Sequence, residues 1–236
     1  MTNATPSAIA LSLARVRTSI AEACARARRD PSSVQLVAVS KLHPASSIRA
    51  AHEAGQRDFG ENYVQELASK HAELASLDAI RWHVIGHLQR NKARDVVGRA
   101  SLVHTVDSER LGVALDRACH EIDRAQLPVL VQVNVGGEAQ KSGCEPDALG
   151  ALLEALSALP RIAVRGLMTV PPHTDDPAES RPFFEALARL RDAHGGARSL
   201  PELSMGMTHD LPFAIEAGAT IVRVGTAIFG DRPPRP

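Results

Sequence analysis

Short apolar runs rich in valine and isoleucine alternate along this chain with stretches whose apolar residues recur every three or four positions. The first pattern predicts buried strands and the second amphipathic helices. Strands are predicted at Val34–Ser40, Asp58–Gly60, Trp82–Ile85, Leu102–Thr105, Val129–Val135, Val164–Met168, Glu202–Ser204 and Ile221–Val224. Helical spacing fills the gaps at Ala45–Ala54, Tyr63–Ala75, Asn91–Val97, Ser108–Arg124, Asp147–Leu159, Arg181–His194 and His209–Ala217. Ahead of the first strand, Ile9, Leu13, Val16 and Ile20 share one face of a helix predicted from Ser7 to Arg29, within the segment 7–30. Strand and helix in alternation are the signature of βαβ units and a parallel sheet. Eight strands predict an α/β fold, a single-domain (β/α)8 TIM-type barrel over residues 1–236 with an extra N-terminal helix. An open Rossmann-like sheet is the alternative. Its GxGxxG turn is absent, because the first strand runs into Ser40-Lys-Leu-His-Pro44. Residues 231–236 are expected to be a frayed tail.

Composition narrows the function more than the fold. Lys+Arg and Asp+Glu balance at 27 each with no long block of one sign, so the basic footprint of a nucleic-acid binder is missing. Cys24, Cys119 and Cys144 lack CxxC or Cys/His spacing, which argues against a disulfide framework and a zinc site. Reduced thiols in the cytoplasm are the expectation. The N-terminal segment has neither the order of a secretion signal nor an apolar stretch long enough to span a bilayer. A small-molecule partner is expected.

Candidate chemistry starts at Lys41, just past the first predicted strand. Only Lys41, Lys70, Lys92 and Lys141 are lysines among 27 basic residues, so arginine serves wherever a charge suffices. Lys41 is either a solvated strand-end charge or an amine for carbonyl chemistry, which arginine cannot perform. In a barrel the site lies at the C-terminal strand ends. There the sequence places Lys41, Glu61, Asn62, His87, Asn134, Met168, Thr169, Ser204, Arg223, Gly225 and Thr226. The segment Val222–Gly230 has the features of a phosphate cradle: Gly225 permits close backbone approach, Thr226 adds a hydroxyl, and a short helix follows. Ser204-Met-Gly-Met-Thr208 supplies further hydroxyls and N–H groups. A strand-end lysine beside phosphate-binding loops suits a ligand carrying an aldehyde and a phosphate, as in pyridoxal 5′-phosphate (PLP). His83 and His87 have zinc-helix spacing, but the glutamate of HExxH is missing and the segment is strand-like.

Seven blocks then carry a resemblance to a known family: Val37–Lys41, Phe59–Glu66, Trp82–Lys92, Gln132–Gly143, Gly166–Thr169, Ser204–Asp210 and Val222–Gly230. Over almost its whole length the chain resembles the YggS-like PLP homeostasis proteins, barrels related to the alanine racemase N-terminal domain. The resemblance implies PLP on Lys41 as an imine, with Thr208, Gly225 and Thr226 on the phosphate and Arg223 at the pyridine nitrogen. With Asn62, Met168 and Ser204 these make the expected cofactor set. A guanidinium does not readily give up its proton, so the ring nitrogen stays unprotonated and is a poor electron sink. The implied role is storage, delivery or buffering of PLP for apo-enzymes, as a monomer, without established turnover. Weak amino-acid racemisation is the alternative, but the second catalytic acid-base group has no obvious source, Tyr63 being the sole tyrosine. Two departures stand out: His43 replaces the family's second lysine, and Thr208 replaces a serine. His43 is expected to act as a cation or proton carrier near neutral pH. Lys141 is a candidate contact at the mouth.

Overall fold

The computed structural model describes residues 5–138, 140 and 142–231. Its eight strands are β1 (Gln35–Val39), β2 (Asp58–Glu61), β3 (Arg81–Val84), β4 (Ala100–Val106), β5 (Leu127–Gln132), β6 (Ile162–Met168), β7 (Glu202–Ser204) and β8 (Ile221–Val224). They pair in parallel and in chain order, and β8 closes on β1 through Ala38 opposite Val224. The sequence therefore announced all eight strands, and closure excludes the open sheet.

The helices are α1 (Pro6–Arg26), α2 (Ala45–Glu53), α3 (Val64–Glu73), α4 (Ala93–Val97), α5 (Glu109–Glu121), α6 (Leu149–Ser157), α7 (Arg181–Ala193), α8 (Gly196–Ser199), α9 (Leu211–Glu216) and α10 (Thr226–Phe229). Apolar side chains between sheet and helix ring form one large core. A smaller group, Val37, Leu102, Leu130, Met168 and Ile221, fills part of the barrel interior. The helix after β8 has only one turn, too short to cover the seam. Helix α1 does so, burying Ile9, Leu13, Val16, Ile20, Ala23 and Cys24 while packing on α2, α9 and α10. Arg17 Nη1 donates to the Ala54 carbonyl at 3.2 Å and Arg29 Nη1 to the Ile215 carbonyl at 2.8 Å, tying α1 to both sides.

Helix α1 stops three residues short of the predicted end. Arg28 takes a left-handed φ of 54°, Arg29 N–H donates to Cys24 O and Arg28 N–H to Ala25 O. This is the reversed pairing that closes a helix around a left-handed residue, formed here by an arginine that no glycine signals. Strand β5 also ends earlier than predicted, at Gln132. Asn134 N–H turns to Cys144 O at 2.9 Å, and Val133 bridges Cys144, so the loop folds back rather than extending the strand. Of the expected tail only Asp231 is among the described residues; 232–236 lie outside them, as does Lys141.

Candidate functional site

The mouth is assembled from loops that follow the strands. Lys41 follows β1 in a tight turn and is half-buried. Leu42 adopts φ 65°, unusual for a branched residue, and its N–H donates to Glu66 Oε2 at 2.7 Å. Beneath this turn Lys70 Nζ reaches three oxygens at 2.8 Å: the Ser40 carbonyl, Glu61 Oε1 and Glu66 Oε2. Ser40 Oγ donates to the same Glu61 oxygen at 2.7 Å. Burial pushes the Glu61 carboxyl above its usual range, against the pull of Lys70 and Ser40. Burial acts upward on Glu66 too, but hydrogen bonds from Lys70 and Leu42 outweigh it and hold that carboxyl low. Lys70 thus clamps the turn that presents Lys41. Its sequence signature was available: Glu66 and Lys70 are i, i+4 on one helix, in a chain that seldom spends lysine on structure.

Barrel closure sets the loop after β8 beside the end of β1. Gly225 lies so close to Val39 that a Cβ there would come within 3.2 Å of the Val39 carbonyl oxygen. Thr226 opens α10 and is exposed, and the first helical turn leaves N–H groups without intrahelical partners. Thr208 is half-buried in the turn after β7. Arg223, next to last in β8, is 4% exposed, donating from Nη1 to Ser204 Oγ at 2.6 Å and from Nη2 to the Thr169 carbonyl at 2.9 Å. Burial lowers its pKa to about 10, with the Asp210 carboxylate pulling the other way, so the guanidinium keeps its charge at neutral pH.

The expected residues divide into groups. Lys41, Thr208, Gly225 and Thr226 lie in the loops that follow β1, β7 and β8, and Arg223 is buried within β8. Asn62 is half-buried beside β3, and its Oδ1 has no hydrogen-bond partner among the described residues. Met168 is a packing residue of the barrel interior at the end of β6. Ser204 is fully buried, and its hydroxyl is committed to Arg223 and His104, so it acts behind the arginine. Asn134 is drawn into its own loop, donating to Glu138 O and Glu145 Oε1. His87 is exposed, 3.3 Å from Ser142 Oγ. His43 is 6% exposed and packs on Phe229 of α10 with ring centroids 5.2 Å apart, joining the loop after β1 to the helix after β8.

Asn62 is held by a glycine contact. A Cβ at Gly86 would lie 2.7 Å from Asn62 Cα and 2.9 Å from its carbonyl carbon, both backbone atoms that cannot rotate away. Gly86→Ala is therefore expected to lower stability by about 1–3 kcal/mol, the usual range for overpacking, and to displace Asn62. Urea unfolding measures the first effect; an unchanged midpoint would contradict the packing described.

Fold and mouth together define a (β/α)8 barrel with a lysine just past its first strand and a glycine-threonine loop after its eighth. The family described as "Alanine racemase, N-terminal domain" matches residues 11–233. A pyridoxal phosphate homeostasis protein of Pseudomonas aeruginosa is 48% identical over 230 residues, covering 96% of each chain. The solved structure of PipY from Synechococcus elongatus with PLP bound superposes with a TM-score of 0.80 at 41% identity, covering 94% of this chain and 100% of that one. Alanine racemase from Corynebacterium glutamicum, at 19% identity and a TM-score of 0.71, shares the fold across 94% of this chain and 61% of its own. The chain belongs to the pyridoxal phosphate homeostasis protein family, within the alanine racemase N-terminal domain group.

Proposed function

We propose that this chain binds PLP at the barrel mouth and holds it as an imine on Lys41, for storage, delivery or buffering of the cofactor. The observation that carries this reading is the juxtaposition made by closure: the Lys41 turn, the Gly225–Thr226 loop and the Arg223 guanidinium meet where β8 joins β1. The donor set fits the ligand. Gly225, Thr226 and Thr208 offer N–H groups and hydroxyls to a phosphate. Arg223 brings a fixed positive charge towards a ring nitrogen, and Asn62 brings an acceptor lacking a partner among the described residues. Joining the Lys41 amine to the aldehyde carbon forms a C=N bond and releases water, so the cofactor is kept covalently yet reversibly. Bound PLP supplies an electron-withdrawing ring. An arginine at its nitrogen weakens that property, which favours carriage over carbanion chemistry.

The proposed partners are apo forms of PLP-dependent enzymes, and the proposed state is a monomer in the cytoplasm. No helix among the described residues is long and apolar enough to cross a membrane. Absorbance titration with PLP tests the reading: a visible imine band is expected to grow to one equivalent, with borohydride fixing the ligand to one peptide. Protein that stays colourless at saturating PLP would exclude it.

A further inference from the structure

A continuous line of polar side chains runs through the barrel from its lower end to Arg223. Arg81 grips Asp58 through two hydrogen bonds, Nε to Oδ1 and Nη2 to Oδ2, each 2.6 Å. His83 Nε2 lies 3.1 Å from Asp58 Oδ1, and His83 Nδ1 lies 2.9 Å from His104 Nε2. His104 Nδ1 is 2.8 Å from Ser204 Oγ, which also receives Arg223 Nη1 at 2.6 Å. His83, His104, Ser204 and Arg223 are all at most 4% exposed. A cavity of about 180 Å³ lined by Arg81, His83, Arg165 and Glu202 lies at the lower end.

The chemistry of the donors gives this line a direction. Arginine only donates and the Asp58 carboxylate only accepts, so with neutral rings the hydrogen on His83 Nε2 faces Asp58, and the line closes when Ser204 Oγ accepts from Arg223 and donates its own hydrogen to His104 Nδ1. A neutral imidazole accepting at Nδ1 carries its hydrogen on Nε2, which donates to His83 Nδ1. His83 then donates from Nε2 to the Asp58 carboxylate, which only accepts. Every group in the line has a partner in this arrangement. A second proton on either ring reverses the flow and strips the Ser204 hydroxyl of its acceptor in the line. The charged surroundings agree. Burial, with the Arg223 charge nearby, holds the His104 pKa well below its ordinary value. Burial raises the Asp58 carboxyl, but hydrogen bonds from His83 and Arg81 outweigh it and hold it at about 2. The charged groups facing the line are Arg81, Asp58, Arg165 and Glu202 below and Arg223 with Asp210 above.

We propose that His104, backed by His83 and Asp58, positions Arg223 through Ser204: it fixes the guanidinium under the mouth and keeps the line neutral, so that Arg223 alone presents charge to the ring nitrogen of a bound pyridine. The effect on the ligand rests on the PLP reading; the direction of the line does not. Two variants separate positioning from bulk packing. His104→Leu removes the acceptor for Ser204, whereas His104→Asn restores one near the same place through Oδ1. His104→Leu is expected to bind PLP about tenfold more weakly and to shift the imine band and its pH profile. His104→Asn is expected to recover most of both. Equal spectra and affinities for wild type and His104→Leu would overturn the proposal, as would an Asn variant no better than Leu.

Nitrogen-15 NMR of the ligand-free wild type tests the line without PLP. Both rings are expected as Nε2–H tautomers, and His104 is expected not to titrate across the neutral range. A hydrogen on His104 Nδ1, or His104 titrating there, would overturn it. A wild type that forms no imine band would instead count against the PLP reading and leave the tautomer result to decide the line.

Discussion

Lys41→Ala protein mixed with PLP is expected to show no visible imine band and no borohydride-stable adduct at the mouth. In wild type, reduction should block tryptic cleavage after Lys41, so the peptide of residues 30–49 appears uncut and carries the ligand. The expectation is specific because two of the other three lysines stand differently, Lys141 lying outside the described residues. Lys70 is buried, with its ammonium bound by three oxygens at 2.8 Å, and an amine so held is a poor nucleophile. Lys92 ends the short 3-10 turn Arg90–Lys92 that precedes α4, away from the β1–β8 seam. The cradle after β8 survives the substitution, so the variant should still take PLP weakly without colour, and inorganic phosphate should compete with that residual binding. A full-strength band in Lys41→Ala, with the adduct mapped to another lysine, would sink the proposed linkage.

Lys70→Met is expected to be the most destabilising single change near the mouth, at about 3–5 kcal/mol, the range for removing one member of a buried ion pair. Methionine fills much of the lysine's volume, so the loss is electrostatic: Glu61, 1% exposed, loses its cation, and Ser40 O and Glu66 lose a donor. The pH dependence has a definite sign. The folded-state pKa of Glu61 already lies above the unfolded value of 4.5 because of burial, and removing Lys70 raises it further. A raised carboxyl pKa means the folded state binds more protons, so stability falls as pH rises from the unfolded value through the folded one. The variant should therefore lose less stability at pH ~5 than at pH ~8. Pairing it with Glu61→Leu should recover much of the loss, since a buried pair replaced whole by apolar groups is often near neutral. A pH-independent effect below about 1 kcal/mol would contradict the clamp. Loosening the Leu42–Glu66 contact should also slow imine formation at Lys41, which stopped-flow absorbance would read.

The legible parts of this protein are those written in local pattern. Even three-residue β7 could be read, because Leu200-Pro201 and the glycine-bearing loop of residues 205–208 bracket it. Lys41 was legible as a candidate because so few lysines compete with it, and the close approach at Gly225 because a glycine follows a buried strand. Helix ends were less legible: the reversal at Arg28 is made by backbone hydrogen bonds that no side chain announces. Ser204 illustrates a different limit. The sequence correctly places it at a strand end near the mouth, yet its hydroxyl turns inward to a histidine 100 residues away.

Hydrophobic period, strand count and the scarcity of lysine determine, from the sequence by itself, an eight-stranded α/β barrel with a lysine and a glycine-threonine loop at one end. They do so because each depends on residues within a few positions of one another. Tertiary structure decided what stands behind those groups: Lys70 under the Lys41 turn, α1 in place of an eighth full helix, His43 against Phe229, and the His83–His104–Ser204 line beneath Arg223. Those contacts join residues from different strands and helices, and the stagger of a closed sheet selects which inward side chains meet.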